Sequence, residues 1–140
     1  MRPPKFEQVE HTADIALRIY GETLEQLFAH AAEALFTTLG TYRWKEESVR
    51  HTVTLEAAGH EELLHDWLAQ LNYMHQTRRE VYCRFDVRHV CDRRLEATIA
   101  GEAIDPQLHS IEIEIKAVTY HKLSVKKTEQ GWQAFVIFDI

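Results

Sequence analysis

The chain has 140 residues, 45% hydrophobic and 27% charged, with a formal net charge of −6. That length suits one domain with a real core, and the composition excludes a disordered chain. The negative balance disfavours a protein that grips nucleic acid unaided, while leaving open docking onto a basic protein partner.

Ile15, Leu17 and Ile19 alternate with Ala16, Arg18 and Tyr20, the period of a strand with one buried face. Gly21 ends it. Thr23-Leu24-Glu25-Gln26 then reads as a capping box, with Thr23 accepting from the Gln26 N–H while Gln26 reaches back. Leu24, Leu27, Phe28, Ala31, Leu35, Phe36 and Leu39 follow as one apolar helical stripe, which Gly40 is expected to stop. Val49, Val53, Leu55 and Ala57 suggest a second strand. A second helix places Leu63, Leu64, Trp67, Leu68, Leu71 and Tyr73 or Met74 against the core.

Beyond Arg78-Arg79 the period changes to two. Residues 81–90 and 94–100 read as a hairpin, Ile111, Ile113 and Ile115 as a half-solvated strand, and residues 122–127 with 132–140 as a final hairpin turning at Gln130-Gly131. The last strand is apolar on both faces, which predicts a central position in its sheet. The expected architecture is a single layered α+β domain spanning residues 1–140. Two amphipathic helices pack on a mixed or antiparallel multi-stranded sheet.

The chain offers little conventional catalytic machinery. Its five glycines are scattered singly, so no phosphate-binding loop can be placed. Ser48, Ser110 and Ser124 sit in no nucleophile-elbow context. Cys83 falls in a strand pattern and reads as core, and with Cys91 it forms neither a disulfide framework nor a Cys-x-x-Cys pair. Nine histidines invite a zinc site, but His60, His65, His75 and His109 lack partners at ligand-like intervals. Met1-Arg2-Pro3-Pro4-Lys5 is no apolar leader, and no window approaches membrane-spanning length. A soluble cytoplasmic domain is expected.

Acids are more promising. Asp14 opens the first apolar strand and Asp139 nearly closes the last, beside the Ile140 carboxylate. Each aspartate alone reads as a turn or strand-end residue. Should the two strands meet, three oxygen donors would share a site suited to Ca²⁺ or Mg²⁺. They would repel one another without a cation, and a terminus buried in a central strand would be costly. His121 is either a solvated loop residue or a group supporting those acids. Asp66, on the second helix, reads as a solvated or partner-facing acid. Lys116 reads as an ordinary surface lysine on residues alone.

The chain resembles the archease family over nearly its whole length. His11-Thr12-Ala13-Asp14-Ile15 is similar to the family's N-terminal signature, and residues 21–36 to its first helix. Leu63-Leu64-His65-Asp66-Trp67-Leu68 resembles its second-helix motif. Gly101-Glu102 before Asp105 and His109, then residues 116–121, Trp132 and a closing Phe138-Asp139-Ile140, complete the likeness. The resemblance implies a non-enzymatic accessory protein of an RtcB-type RNA ligase, active in tRNA splicing or RNA repair. Such a protein promotes guanylylation of the ligase and multiple turnover, and meets RNA and GTP only through the ligase. It also implies a metal site on Asp14, Asp139 and Ile140, and a contact from Lys116 to a nucleotide phosphate or the partner's active site. Two other readings compete. One is a stand-alone metal-dependent phosphoester hydrolase with His121 as acid or base; the other is a chaperone-like protein-binding module.

Overall fold

The protein is described by a computed structural model covering residues 3–9 and 14–140. Expectations resting on His11, Thr12 and Ala13 lie outside the described residues.

Among the described residues, ten strands and two helices follow in the order β1 (Phe6–Val9), β2 (Asp14–Gly21), α1 (Leu24–Leu39), β3 (Gly40–Tyr42), β4 (Val49–Glu56), α2 (His60–Arg78), β5 (Glu80–Val90), β6 (Arg94–Ala103), β7 (His109–Ile111), β8 (Ala117–Val118), β9 (Ser124–Thr128) and β10 (Gly131–Asp139). The α+β expectation holds, and every strand pairing is antiparallel. One sheet runs β1-β2-β10, and the far edge of β10 is shared by β9 along its first half and β8 along its end. A second sheet runs β4-β6-β5, and β3 pairs with β7. The doubly apolar β10 is therefore central, as its sequence predicts.

The helices close one continuous core that includes Leu17, Ile19, Phe28, Leu35, Trp67, Leu71, Val136 and Phe138. The Trp67 indole N–H donates to the Phe28 carbonyl at 2.9 Å, locking α2 to α1 inside that core. Among the described residues, no helix is long and apolar enough to cross a membrane.

Two local expectations need correction, the capping box and the isoleucine strand, while Gly40 stops α1 as expected. Thr23 caps α1 by accepting from the Gln26 N–H at 3.1 Å, but Gln26 reaches back to the Glu22 N–H at 2.6 Å rather than to Thr23. Gly40 ends α1 in extended backbone (φ 175°), not in a left-handed cap. Its role is steric, because an added Cβ would collide with the Ser110 carbonyl oxygen across the β3–β7 pair. The strand expected through Ile115 stops at Ile111. There the chain turns, with the Glu112 and Ile113 N–H groups donating to the Leu39 carbonyl at 2.8 and 3.2 Å. Ile115 is fully buried while Ile111 is 38% exposed, so the alternation does not mark one sheet face.

Two glycines yield tests. Gly40→Ala should destabilise the protein by about 3 kcal/mol through overpacking, seen as a lower denaturant midpoint. Gly59→Ser should do the reverse, because α2 lacks a side-chain cap, Gly59 is extended, and nothing lies within 4 Å of an added Cβ. A serine hydroxyl there is worth about 0.3 kcal/mol over glycine, which is itself a tolerated cap.

Burial pushes the His75 imidazole below its ordinary value, against its hydrogen bond to the Glu80 carbonyl, and the nearby Arg79 charge adds to the depression. A depressed folded-state value means that the unfolded chain binds the proton first. His75 therefore contributes stability that is fully present above about pH 6.5 and is lost as pH falls towards the folded-state value. Stability should fall with pH in that window, by no more than the one-proton limit of about 1.4 kcal/mol per pH unit, and the fall should flatten in His75→Gln, as read by urea melts across pH.

Candidate functional site

The register of β2 against β10 sets the geometry. Eight residue pairs run from Trp132 opposite Gly21 to Asp139 opposite Asp14. Leu17 with Val136, Ile19 with Ala134, and Ile15 with Phe138 share the core face. The alternate set is Arg18 with Phe135, Ala16 with Ile137, and finally Asp14 with Asp139. Directly opposed residues on antiparallel strands project their side chains to the same face, roughly 5 Å apart at Cβ. The two sequence-predicted acids are thus cross-strand neighbours, at the rim where β2 begins and β10 ends.

On the other side of β10, Asp139 pairs with Ala117 and its carbonyl accepts the Lys116 N–H at 2.8 Å. Lys116 and Ile140 therefore belong to the same rim. Asp139 and Ile140 are exposed, which corrects the expectation of a buried terminus: β10 carries its last residues out of the core to the sheet edge. Solvent there reduces the mutual repulsion of the acids to about 1 kcal/mol per pair. Among the described residues, no group of three or more His, Cys, Asp or Glu side chains is clustered to hold a metal.

His121 lies exposed in the turn after β8, whose base is tied to β10. The Thr119 N–H and hydroxyl both donate to the Ile137 carbonyl at 3.0 Å.

Sequence reasoning missed the group that seats β8. On α2, His65 places Nδ1 2.9 Å from an Asp66 carboxylate oxygen and Nε2 2.9 Å from the Val118 carbonyl. Both partners are acceptors, so only the doubly protonated ring serves both contacts at once. Tyr120, a residue 59% exposed, stacks on that ring at 3.9 Å and 15°. Asn72 and Gln76 each donate to the Ile115 carbonyl at 2.9 Å. Residues 65, 72 and 76 lie on one helical stripe, and that spacing of polar residues was the available signal.

A second polar cluster is structural. The buried Glu102 carboxylate accepts the Glu46 N–H at 2.9 Å, the Lys45 N–H at 3.2 Å and the His109 Nε2–H at 3.0 Å. His109 Nδ1 accepts the Asp105 N–H, which fixes the Nε2–H tautomer. Burial alone would raise the Glu102 carboxyl, but these donors outweigh it and hold it below the usual range. The cluster pins residues 45–46 over β6. Cys83, expected in the core, is half-buried beside Glu47, and burial raises its thiol, which leaves it a poor nucleophile.

A two-helix α+β domain with paired acids at the rim of a fully antiparallel sheet defines the structural class. The chain matches the model of the Archease protein family over residues 6–140. It is 38% identical over 140 residues to protein archease of Methanosarcina mazei, covering 97% of this chain and 96% of that one. Protein archease of Methanopyrus kandleri is 35% identical over 143 residues, covering 96% and 99%. The solution structure of Methanobacterium thermoautotrophicum protein 1598 superposes with a TM-score of 0.72 at 31% identity, covering 97% of this chain and 99% of that one. The crystal structure of an archease from Thermotoga maritima, described as a possible chaperone, shares the fold (TM-score 0.64, 23% identity, 100% and 98% covered). This chain belongs to the archease family.

Proposed function

We propose that this chain is a non-catalytic activator of an RtcB-type RNA ligase in tRNA splicing or RNA repair, promoting ligase guanylylation and multiple turnover. In this reading Asp14, Asp139 and the Ile140 carboxylate hold a divalent cation, Ca²⁺ or Mg²⁺. The observation that carries it is the cross-strand pairing of Asp14 with Asp139, one residue before Ile140. The donor set is all oxygen and suits a hard cation, and juxtaposed carboxylates repel each other whatever else they touch. A bound cation there would stabilise charge developing on phosphate oxygens during nucleotidyl transfer.

The chain's own contribution is placement. The β2–β10 register holds the two carboxylates side by side, and the Lys116 N–H fixes the Asp139 carbonyl. The Lys116 side chain, exposed at the same rim, reaches out to a nucleotide phosphate or to the partner's active site. His121 supports the acids from its neighbouring turn. RNA and GTP are met only through the ligase, and the net charge of −6 favours encounter with a basic, RNA-binding partner in the cytoplasm.

Asp139→Asn, isosteric and at an exposed position, should leave the melting temperature within a degree or two. It should weaken Ca²⁺ or Mg²⁺ binding by calorimetry more than tenfold and abolish stimulation of ligase guanylylation. A short C-terminal extension, which turns the Ile140 carboxylate into an amide, should do the same. Normal stimulation by both variants, with loss on changing the exposed Tyr73 and Tyr120 instead, would establish binding without cation chemistry. Phosphoester turnover by the purified protein alone would establish a hydrolase.

A further inference from the structure

The opposite end of the same sheet carries a cavity with different chemistry. It has a volume of about 240 Å³ and lies between the Pro3–Lys5 segment, the start of α1 and the β9–β10 turn. Its lining includes Pro3, Pro4, Gln26, His30, Gln130 and Trp132. Trp132 and Asp139 are seven residues apart on β10, so cavity and acid rim are separated by about 23 Å.

Two of the lining groups have their hydrogen-bonding roles dictated by the backbone. His30 Nδ1 lies 2.6 Å from the Tyr20 carbonyl, an acceptor, so Nδ1 carries the proton and the neutral ring keeps Nε2 as an acceptor. Gln26 Oε1 lies 2.6 Å from the Glu22 N–H, a donor, which fixes the amide orientation and leaves its NH₂ with two protons to give. Gln26 and His30 are four residues apart on α1 and are therefore neighbours on one helix face. The cavity thus borders a fixed donor beside a fixed acceptor, with proline and tryptophan supplying apolar lining.

Of the charges nearby, Lys5 pairs with Glu33 at 3.2 Å and Lys127 lies over the Trp132 ring at 6.0 Å, while Glu22 adds an acid to the lining. The site is thus poorly suited to a phosphate and well suited to an uncharged ring. At 240 Å³ it falls below the span of drug-sized pockets, roughly 300–1,000 Å³.

We propose that this cavity binds a purine base, whose edge presents an N–H donor beside a carbonyl or ring-nitrogen acceptor. The N–H donates to His30 Nε2, the acceptor takes a proton from the Gln26 amide, and the ring lies against Pro4 and Trp132. The assignment does not depend on the acid rim or on a ligase.

Titration of the isolated protein with guanosine and with adenosine, followed by amide NMR shifts and calorimetry, tests it; ribose 5-phosphate serves as the control without a base. At least one nucleoside should bind saturably, shifting resonances at Gln26, His30 and Gln130, while ribose 5-phosphate does not. Trp132→Ala should weaken binding about tenfold or more, the scale of lost base–aromatic stacking. His30→Asn, which can still donate to the Tyr20 carbonyl but sets no acceptor at the Nε2 position, should weaken it about fivefold. No saturable shift with either nucleoside, equal binding of ribose 5-phosphate, or unchanged affinity in His30→Asn would each overturn the assignment. Should Trp132→Ala fail to fold, the His30→Asn result decides alone.

Discussion

The pairing of β2 with β10 is the constraint on which the rest of the molecule hangs, because it brings distant parts of the chain into one ladder with no freedom of register. A slip of β2 by one residue against β10 would move Leu17 and Ile19 from the core to the opposite face and turn Arg18 inward. Each such side chain is worth roughly 1.5–3 kcal/mol when buried, so the slip would forfeit roughly 3–6 kcal/mol. Against that, two carboxylates at the solvated rim repel by about 1 kcal/mol. Packing wins by a wide margin, and the Asp14–Asp139 juxtaposition is a consequence of apolar residues upstream rather than of anything the acids do themselves.

The edge beyond β10 is built differently. β8 is only two residues long, and a ladder that short cannot hold the segment that delivers Lys116. Side chains of α2 do the holding instead: His65 grips the Val118 carbonyl, while Asn72 and Gln76 share the Ile115 carbonyl. The buried Asn72 side chain leaves Oδ1 without a hydrogen-bond partner, a cost accepted in exchange for fixing a backbone with no strand neighbour there. A buried helix–helix bond, from Trp67 to Phe28, keeps that platform in register with α1.

The long elements were legible in the sequence because their periodicity coincides with burial. The α1 stripe, the β5–β6 hairpin and the double-faced β10 all emerged where apolar spacing predicted them. Strands β1, β3 and β8 escaped, since two to four residues cannot establish a period. The isoleucine series at 111, 113 and 115 misled for a physical reason: it alternates as a strand does, but the chain leaves the sheet to cap the end of α1 and lie on α2. At the rim, Asp14 and Asp139 could be singled out because each sits at the tip of an apolar strand. His65 shares a polar stripe with Asn72 and Gln76, but that spacing does not reveal what it holds, a carbonyl 53 residues away.

Charge is distributed along β10 as unevenly as structure. The acid rim extends sideways through Asp66 and Glu62, whose charges, after desolvation, help raise the Tyr120 hydroxyl above its ordinary value. His65 sits within this region in contact with Asp66, and Lys116 lies beside Asp139. The field is mainly negative and largely solvent-exposed, so it acts over about one Debye length, near 8 Å at physiological salt. On the reading proposed above, such a field accelerates encounter with a basic partner more than it tightens the complex. Salt should therefore slow association while leaving dissociation nearly unchanged. The specificity of the contact would then rest on short-range features of the same rim: the exposed ring of Tyr120, held flat on His65, and the two carboxylates whose spacing the core dictates.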